Sequence, residues 1–180
     1  MDYESAIRTI EAAVRTIPDY PKPGIMFRDI TPVLQDGRAF AACIDALLEK
    51  VKGFKADYIV GIEARGFVIG SALAYRMGLG FIPARKKGKL PYKAVSMDYE
   101  LEYGTATLEM HEDSLRKGDR VLVIDDLLAT GGTASAVGRL VEKLGGKVEG
   151  YAFVIELPDL RGREKLDGSR IISLVKFLGD

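Results

Sequence analysis

The run Val121-Leu-Val-Ile-Asp-Asp-Leu-Leu-Ala-Thr-Gly-Gly-Thr133 constrains this chain more than any other segment. It opens on apolar, mostly β-branched residues, the pattern of a strand buried on both faces of a parallel sheet. Asp125 and Asp126 follow where such a strand would end, and from Thr133 a helical pattern places Val137, Leu140, Val141 and Leu144 on one face. Between them lies a turn of small, hydroxyl-bearing and glycine residues, Ala129, Thr130, Gly131, Gly132 and Thr133. Glycines let backbone N–H groups approach an anion, hydroxyls add donors, and a helix start favours negative charge. Two carboxylates beside that cradle suit a diol or a bound Mg²⁺ and would repel a second phosphate. The combination reads as a site for a phosphorylated sugar.

Better-known phosphate loops do not fit. A Walker loop needs Lys directly after its last Gly, and here Thr133 follows Gly132. Gly78-Leu-Gly80 lacks the third glycine of a dinucleotide fingerprint and precedes a strand instead of following one. The plain alternative is a tight turn between a core strand and a helix, with both acids merely solvated.

The rest of the 180-residue chain is expected to supply one domain with a substantial core. Lys plus Arg equals Asp plus Glu at 26 each, so no global field favours nucleic acid or a membrane surface. A single cysteine, Cys43, excludes an internal disulfide and sits in a helical pattern with Phe40, Ile44, Leu47 and Leu48. It reads as a packed thiol. The sequence carries no secretory signal pattern and no long apolar run, so a cytoplasmic protein is expected.

Along the chain, Ile7, Ile10, Val14 and Ile17 at helical spacing predict a helix from Tyr3 to Ile17, stopped by Pro18. An extended segment around Pro21–Gly24 and then Ile25–Ile30 follow, with a second helix over 37–51. Strands are expected at 58–62, 80–83, 103–110, 120–124, 148–156 and 171–174, and a helix over 67–77. Such alternation predicts an α/β fold: a single domain with a mainly parallel central sheet flanked by helices. Residues 1–36 form an N-terminal helix and crossing segment, and residues 85–104 break the pattern as a polar loop of a length that is often functional. Ligands of such sheets bind beyond the carboxyl ends of the strands.

Other pieces converge on the same chemistry. Glu63-Ala-Arg-Gly66 repeats the strand-turn-helix arrangement, with Arg65 either paired to Glu63 on the surface or able to fork onto an oxyanion. Arg85-Lys-Lys-Gly-Lys89 places four cations in five positions at the start of the polar loop. In a neutral protein that suits a pyrophosphate, with Arg85 and Lys89 first, Lys86 next and Lys87 merely solvated. His111 has no Cys or second His at metal spacing and reads as structural or surface. Phe81 and Tyr92 read as packing residues before base-stacking ones.

At its strand, acid pair and threonine-glycine loop the chain resembles the phosphoribosyltransferase family. The resemblance implies that Asp125 and Asp126 hold the ribose hydroxyls of phosphoribosyl pyrophosphate and that Ala129 through Thr133 hold its 5′-phosphate. It implies that Arg65, Arg85, Lys86 and Lys89 receive the pyrophosphate, with Mg²⁺ as cofactor. Four further blocks narrow it: Pro-Gly-Ile-Met-Phe-Arg-Asp-Ile-Thr-Pro32, Gly-Lys-Leu-Pro91, Leu-Glu-Tyr-Gly104 and Gly-Arg-Glu-Lys-Leu166. Together they resemble the adenine-specific branch of that family. There the first block forms an N-terminal base-binding segment, so Met26 would contact the purine, Phe27 pack nearby and Arg28 position the base or the lid. Glu102 matches a lid glutamate that carries a proton to the purine imidazole ring, with Tyr103 beside the ribose, and 85–104 becomes a mobile lid loop. The branch implies purine salvage, small-molecule substrates and a homodimer, and no nucleic-acid or membrane partner. Rival readings are a 6-oxo-purine transferase, for which Val154–Leu160 offers no Lys or aromatic, and a non-catalytic sensor, for which a nucleic-acid-binding surface is wanting.

Overall fold

Asp2 starts the first helix by accepting a hydrogen bond from the Ser5 backbone N–H at 2.9 Å, and α1 runs Tyr3–Ala13. The computed structural model describes residues 1–101, 104–166 and 168–179. α1 ends four residues before the helix expected from sequence, because Val14 turns extended and Arg15–Pro18 becomes a strand, β1. β1 pairs antiparallel with β2, Met26–Asp29, from Arg15↔Asp29 to Pro18↔Met26. Thr16 and Ile17 are β-branched, and cross-strand pairing outweighs the weak helical spacing of a marginal turn. After the short α2, Thr31–Gln35, Asp36 caps α3, Gly37–Val51, by accepting from the N–H groups of Arg38 and Ala39 at 2.8 and 3.1 Å.

The central sheet is built from β3 (Tyr58–Ile62), β4 (Gly80–Lys86), β5 (Ala94–Leu101), β6 (Gly104–His111), β7 (Arg120–Leu128), β8 (Lys147–Glu156) and β9 (Ile171–Lys176). Its order is β5-β6-β4-β3-β7-β8-β9. Neighbours from β4 to β9 run parallel, and β5 and β6 are antiparallel, so the sheet is mainly parallel as expected. α4 (Arg65–Met77) and α5 (Gly132–Lys143) cross over on opposite faces.

β7 explains why its sequence is apolar without a gap. Leu122 and Ile124 pack with α1, α3 and α4 on one face, whereas Val121 and Val123 pack with α5 on the other. All four are fully buried. Truncating Leu122 to Ala is expected to cost roughly 2–5 kcal/mol through lost burial and the cavity left behind.

The polar stretch 85–104 is not a structureless loop. β4 continues through Lys86, and residues from Ala94 pair with β6 in register Ala94↔His111 to Leu101↔Gly104. Val95, Met97 and Tyr99 face the core while Ser96, Asp98 and Glu100 alternate outward. The dense acids hid that period of two. The arm joins the parallel sheet at the β4–β6 pairs Arg85↔Glu109 and Lys86↔Leu108, the Lys87 N–H donates to the Thr107 carbonyl at 3.1 Å, and β5 packs against α5. Among the described residues, no helix is long and apolar enough to cross a membrane.

Candidate active site

The carboxyl ends of β3 and β7 lie side by side, and the turns leaving them hold most of the candidate residues. At the end of β3, Gly66 sits so close to β7 that a Cβ there would lie 2.7 Å from the Ile124 carbonyl oxygen and 3.1 Å from Asp125 Oδ1. This glycine brings the start of α4 against the acid pair, and a helix beginning at Arg65, two residues earlier than expected, follows from it.

Asp126 is 6% exposed, and its Oδ2 accepts a hydrogen bond and ion pair from Arg65 Nε. Asp125 accepts from the Asp126 backbone N–H at 2.9 Å. Burial, reinforced by the neighbouring Asp126 carboxylate, pushes the Asp125 carboxyl well above the ordinary range. Partial burial opposes the Arg65 charge, yet Asp126, with Asp125 and Asp29 behind it, raises the Arg65 pKa. Arg65 thus faces the acids and not Glu63. Glu63 instead holds Arg85, at 3.0 and 3.3 Å, and accepts from the Lys86 backbone N–H at 3.0 Å. Its own pKa is lowered first by the Arg85 hydrogen bonds. Arg85 also donates to the Lys89 carbonyl at 3.0 Å, while the Lys86, Lys87 and Lys89 side chains are exposed.

After β7 the chain enters the turn Ala129–Gly131 and starts α5 at Gly132. Gly131 takes φ 76°, a left-handed conformation that costs glycine little. A small cavity of about 80 Å³ is enclosed by Asp125, Leu127 and the run 128–134 with Phe153. A second, of about 350 Å³, is lined by Glu63, Ala64, Arg65, Lys86, Tyr99, Asp125, Asp126 and Thr133. A third, of about 690 Å³, runs from Met26, Phe27 and Arg28 past Arg65, Asp125 and Asp126 to Leu127, Leu157 and Leu160. Asp125 lines all three. Lys89 and Arg85 line none of them.

Phe27 stacks edge-on to Tyr20 at 5.2 Å, and Arg28 lies 4.6 Å over the Phe177 ring while donating to Thr16 Oγ1 at 2.7 Å. The apolar wall of Leu127, Leu157 and Leu160 escaped sequence reasoning. Its signal was present, because Val154–Leu160 was notable for lacking cationic and aromatic groups. Tyr99 was missed as well, hidden in the acidic stretch. Phe81 packs edge-on to Phe67 at 5.8 Å, Tyr92 lies exposed against His111, and neither lines any of the three cavities. Glu102 and Tyr103 lie outside the described residues. Among the described residues, no group of three or more His, Cys, Asp or Glu could hold a metal ion. A metal brought in by a polyanionic ligand would still meet hard oxygen donors at Asp125 and Asp126.

Comparison with known proteins agrees with this geometry. Residues 29–175 match the phosphoribosyl transferase domain model. An adenine phosphoribosyltransferase of Desulfitobacterium hafniense (strain Y51) is 54% identical over 164 residues, covering 91% of this chain and 95% of the relative. The one from Brachyspira hyodysenteriae is 57% identical over the same share of this chain and 96% of its own length. The crystal structure of adenine phosphoribosyltransferase from Thermoanaerobacter pseudethanolicus superposes with a TM-score of 0.93 at 54% identity, covering 95% of this chain and 99% of that one. The Saccharomyces cerevisiae enzyme, complexed with an imino-altritol bisphosphate and adenine, gives 0.90 at 40% identity, over 96% and 99%. A family model over most of the chain, and relatives this similar over nearly all of it, place the protein: it belongs to the phosphoribosyltransferase family, with the adenine phosphoribosyltransferases as its relatives.

Proposed function

We propose that the chain transfers the 5-phosphoribosyl group from phosphoribosyl pyrophosphate to adenine, giving AMP and pyrophosphate in purine salvage. The observation that carries the reading is the position of Asp125, shared by an enclosed glycine-hydroxyl cavity, a cavity lined by Arg65 and Lys86, and a larger, more apolar one. A donor with a phosphate, a diol and a pyrophosphate, and an acceptor with a flat base, need three such compartments meeting at one ribose.

In this reading Ala129, Thr130, Gly131, Gly132 and Thr133 hold the 5′-phosphate through N–H groups and hydroxyls at the start of α5. Asp125 and Asp126 accept from the ribose hydroxyls, so Arg65 leaves Asp126 and turns to the pyrophosphate. Arg85, Lys86 and Lys89 add charge there, Arg85 after release from Glu63. Adenine lies between Met26, Phe27 and Arg28 and the wall of Leu157 and Leu160. As the bond from ribose C1 to the pyrophosphate oxygen breaks, the electron pair leaves with pyrophosphate and positive charge develops on the ring. Adenine N9 then bonds C1, and its imidazole proton passes to Glu102. Bound Mg²⁺ supplies charge neutralisation for the pyrophosphate. The protein's part is orientation, charge balance and exclusion of water, which would hydrolyse the activated sugar. The 85–104 arm acts as the lid, Tyr103 lies beside the ribose, and the enzyme works as a cytoplasmic homodimer.

A coupled pyrophosphate-release assay with phosphoribosyl pyrophosphate, Mg²⁺ and single bases tests the reaction. Release with adenine and not with hypoxanthine, guanine, xanthine, uracil or orotate is expected. Release with a 6-oxo purine would discard the base pocket, and binding without any release would mark a sensor.

A further inference from the structure

Behind the glycine-hydroxyl turn lies an ion pair that neither the strand-end acids nor the basic run involves. Glu156 ends β8 and is 4% exposed. Arg163 forks onto it, Nε to Oε1 at 2.6 Å and Nη2 to Oε2 at 2.7 Å. The Ser173 hydroxyl donates to the same Oε2, and Arg163 reaches the Ser173 hydroxyl at 3.2 Å and the Ile171 carbonyl at 3.4 Å. A two-point fork fixes orientation as well as distance. What it fixes is a short 3₁₀ turn, Gly162–Leu166, whose other end is held by the buried Leu166. Such a turn has little stability of its own.

Gly162, immediately before Arg163, lies directly on the glycine-hydroxyl turn. A Cβ at Gly162 would collide with the Ala129 carbonyl oxygen and lie 2.9 Å from Leu128 Cδ1 and 3.0 Å from the Gly131 backbone nitrogen. In return, a Cβ at Gly131 would collide with the Gly162 carbonyl oxygen and lie 3.1 Å from its carbonyl carbon. Gly131 caps α5 with no side-chain hydrogen bond. The turn therefore takes its shape from the backbone pressed behind it.

We infer that Arg163 and Glu156 are positioning residues for the 5′-phosphate, holding Gly162 as the backing of the loop Ala129–Thr133. This deepens the proposed function and rests on its assignment of that loop. The pair touches no substrate. It acts by holding the backbone of 129–133 in its place around the small cavity, while the pyrophosphate side, built on Arg65 and Glu63, depends on other elements.

Titration calorimetry on the full chain, with ribose 5-phosphate and with magnesium pyrophosphate as separate probes, tests this. Arg163→Met is expected to weaken ribose 5-phosphate binding about tenfold and to leave pyrophosphate within about twofold, since distant independent sites do not couple. Gly162→Ala, which leaves the ion pair whole, is expected to give the same split. A general loosening of the fold would lower both affinities together, and that result overturns the inference. So does unchanged ribose 5-phosphate binding in both variants. Thr133→Val then separates the two levels. If it weakens ribose 5-phosphate while the other variants do not, only the positioning role falls; if it also has no effect, the phosphate assignment falls with it.

Discussion

Arg65 donates from Nε to Oδ2 of Asp126, so in the free protein a cation assigned to the leaving group rests on an acid assigned to the sugar. The contact keeps a buried carboxylate compensated until ligand arrives. Arg65→Ala is therefore expected to lower stability as well as activity. With the arginine side chain 48% exposed, the loss should fall at about 1–3 kcal/mol, below the cost of breaking a fully buried pair. Chemical denaturation checks it, and a double mutant with Asp126→Ala should recover part of the loss.

The neighbouring acid carries the opposite stability effect. Burial and the Asp126 charge raise the Asp125 pKa, so the folded protein binds that proton more tightly than the unfolded chain. Its contribution is full below the ordinary value of 3.8 and is lost as pH rises through the raised one. Asp125→Asn should accordingly raise the melting temperature near neutrality and flatten its decline above about pH 4. The same variant should weaken phosphoribosyl pyrophosphate at least about tenfold, the loss of one charged acceptor. Calorimetric scans from acid to neutral pH, with substrate KM beside them, test both halves.

Glu63 lines the cavity assigned to the pyrophosphate and there holds Arg85 and the Lys86 backbone. Glu63→Gln keeps the side-chain volume and removes the charge. With Arg85 held less tightly and an anion removed from the cavity, KM for phosphoribosyl pyrophosphate is expected to fall a few-fold, with KM for adenine unchanged. Steady-state kinetics with each substrate varied decides it.

Cys43 lies fully buried in α3, and desolvation pushes its thiol up to about 12. A thiol-disulfide reagent at mild alkaline pH is expected to leave the native protein unlabelled and active. Denaturant should release one reactive thiol per chain.

The strand, acid pair and glycine turn of 121–133 were legible because every feature there is local. One face or the other of β7 meets a helix at each residue, and the apolar run reports this directly. β1 and β5 were not legible in the same way. β1 exists through its pairing with Met26–Asp29, and Val95, Met97 and Tyr99 keep their alternation beneath a dense set of acids. Within the site, the candidate residues of the two strand-end turns were readable as types at a strand end. Their partners were not. Spacing does not report that Arg65 meets Asp126 and Arg85 meets Glu63, nor that Leu157 and Met26 line one cavity, because those relations arise from sheet order.

The edge where the β5–β6 arm meets β4 carries a consequence for the assigned anion site. The ladder from β6 meets β4 at Arg85 and Lys86, the same residues whose charges are assigned to the departing anion. Any movement of the arm at that edge would turn their backbone, and with it the Glu63 contacts to Arg85 and the Lys86 N–H. In the proposed lid role of 85–104, covering the ligand and bringing charge to it would be a single movement, with its fulcrum at the end of β4.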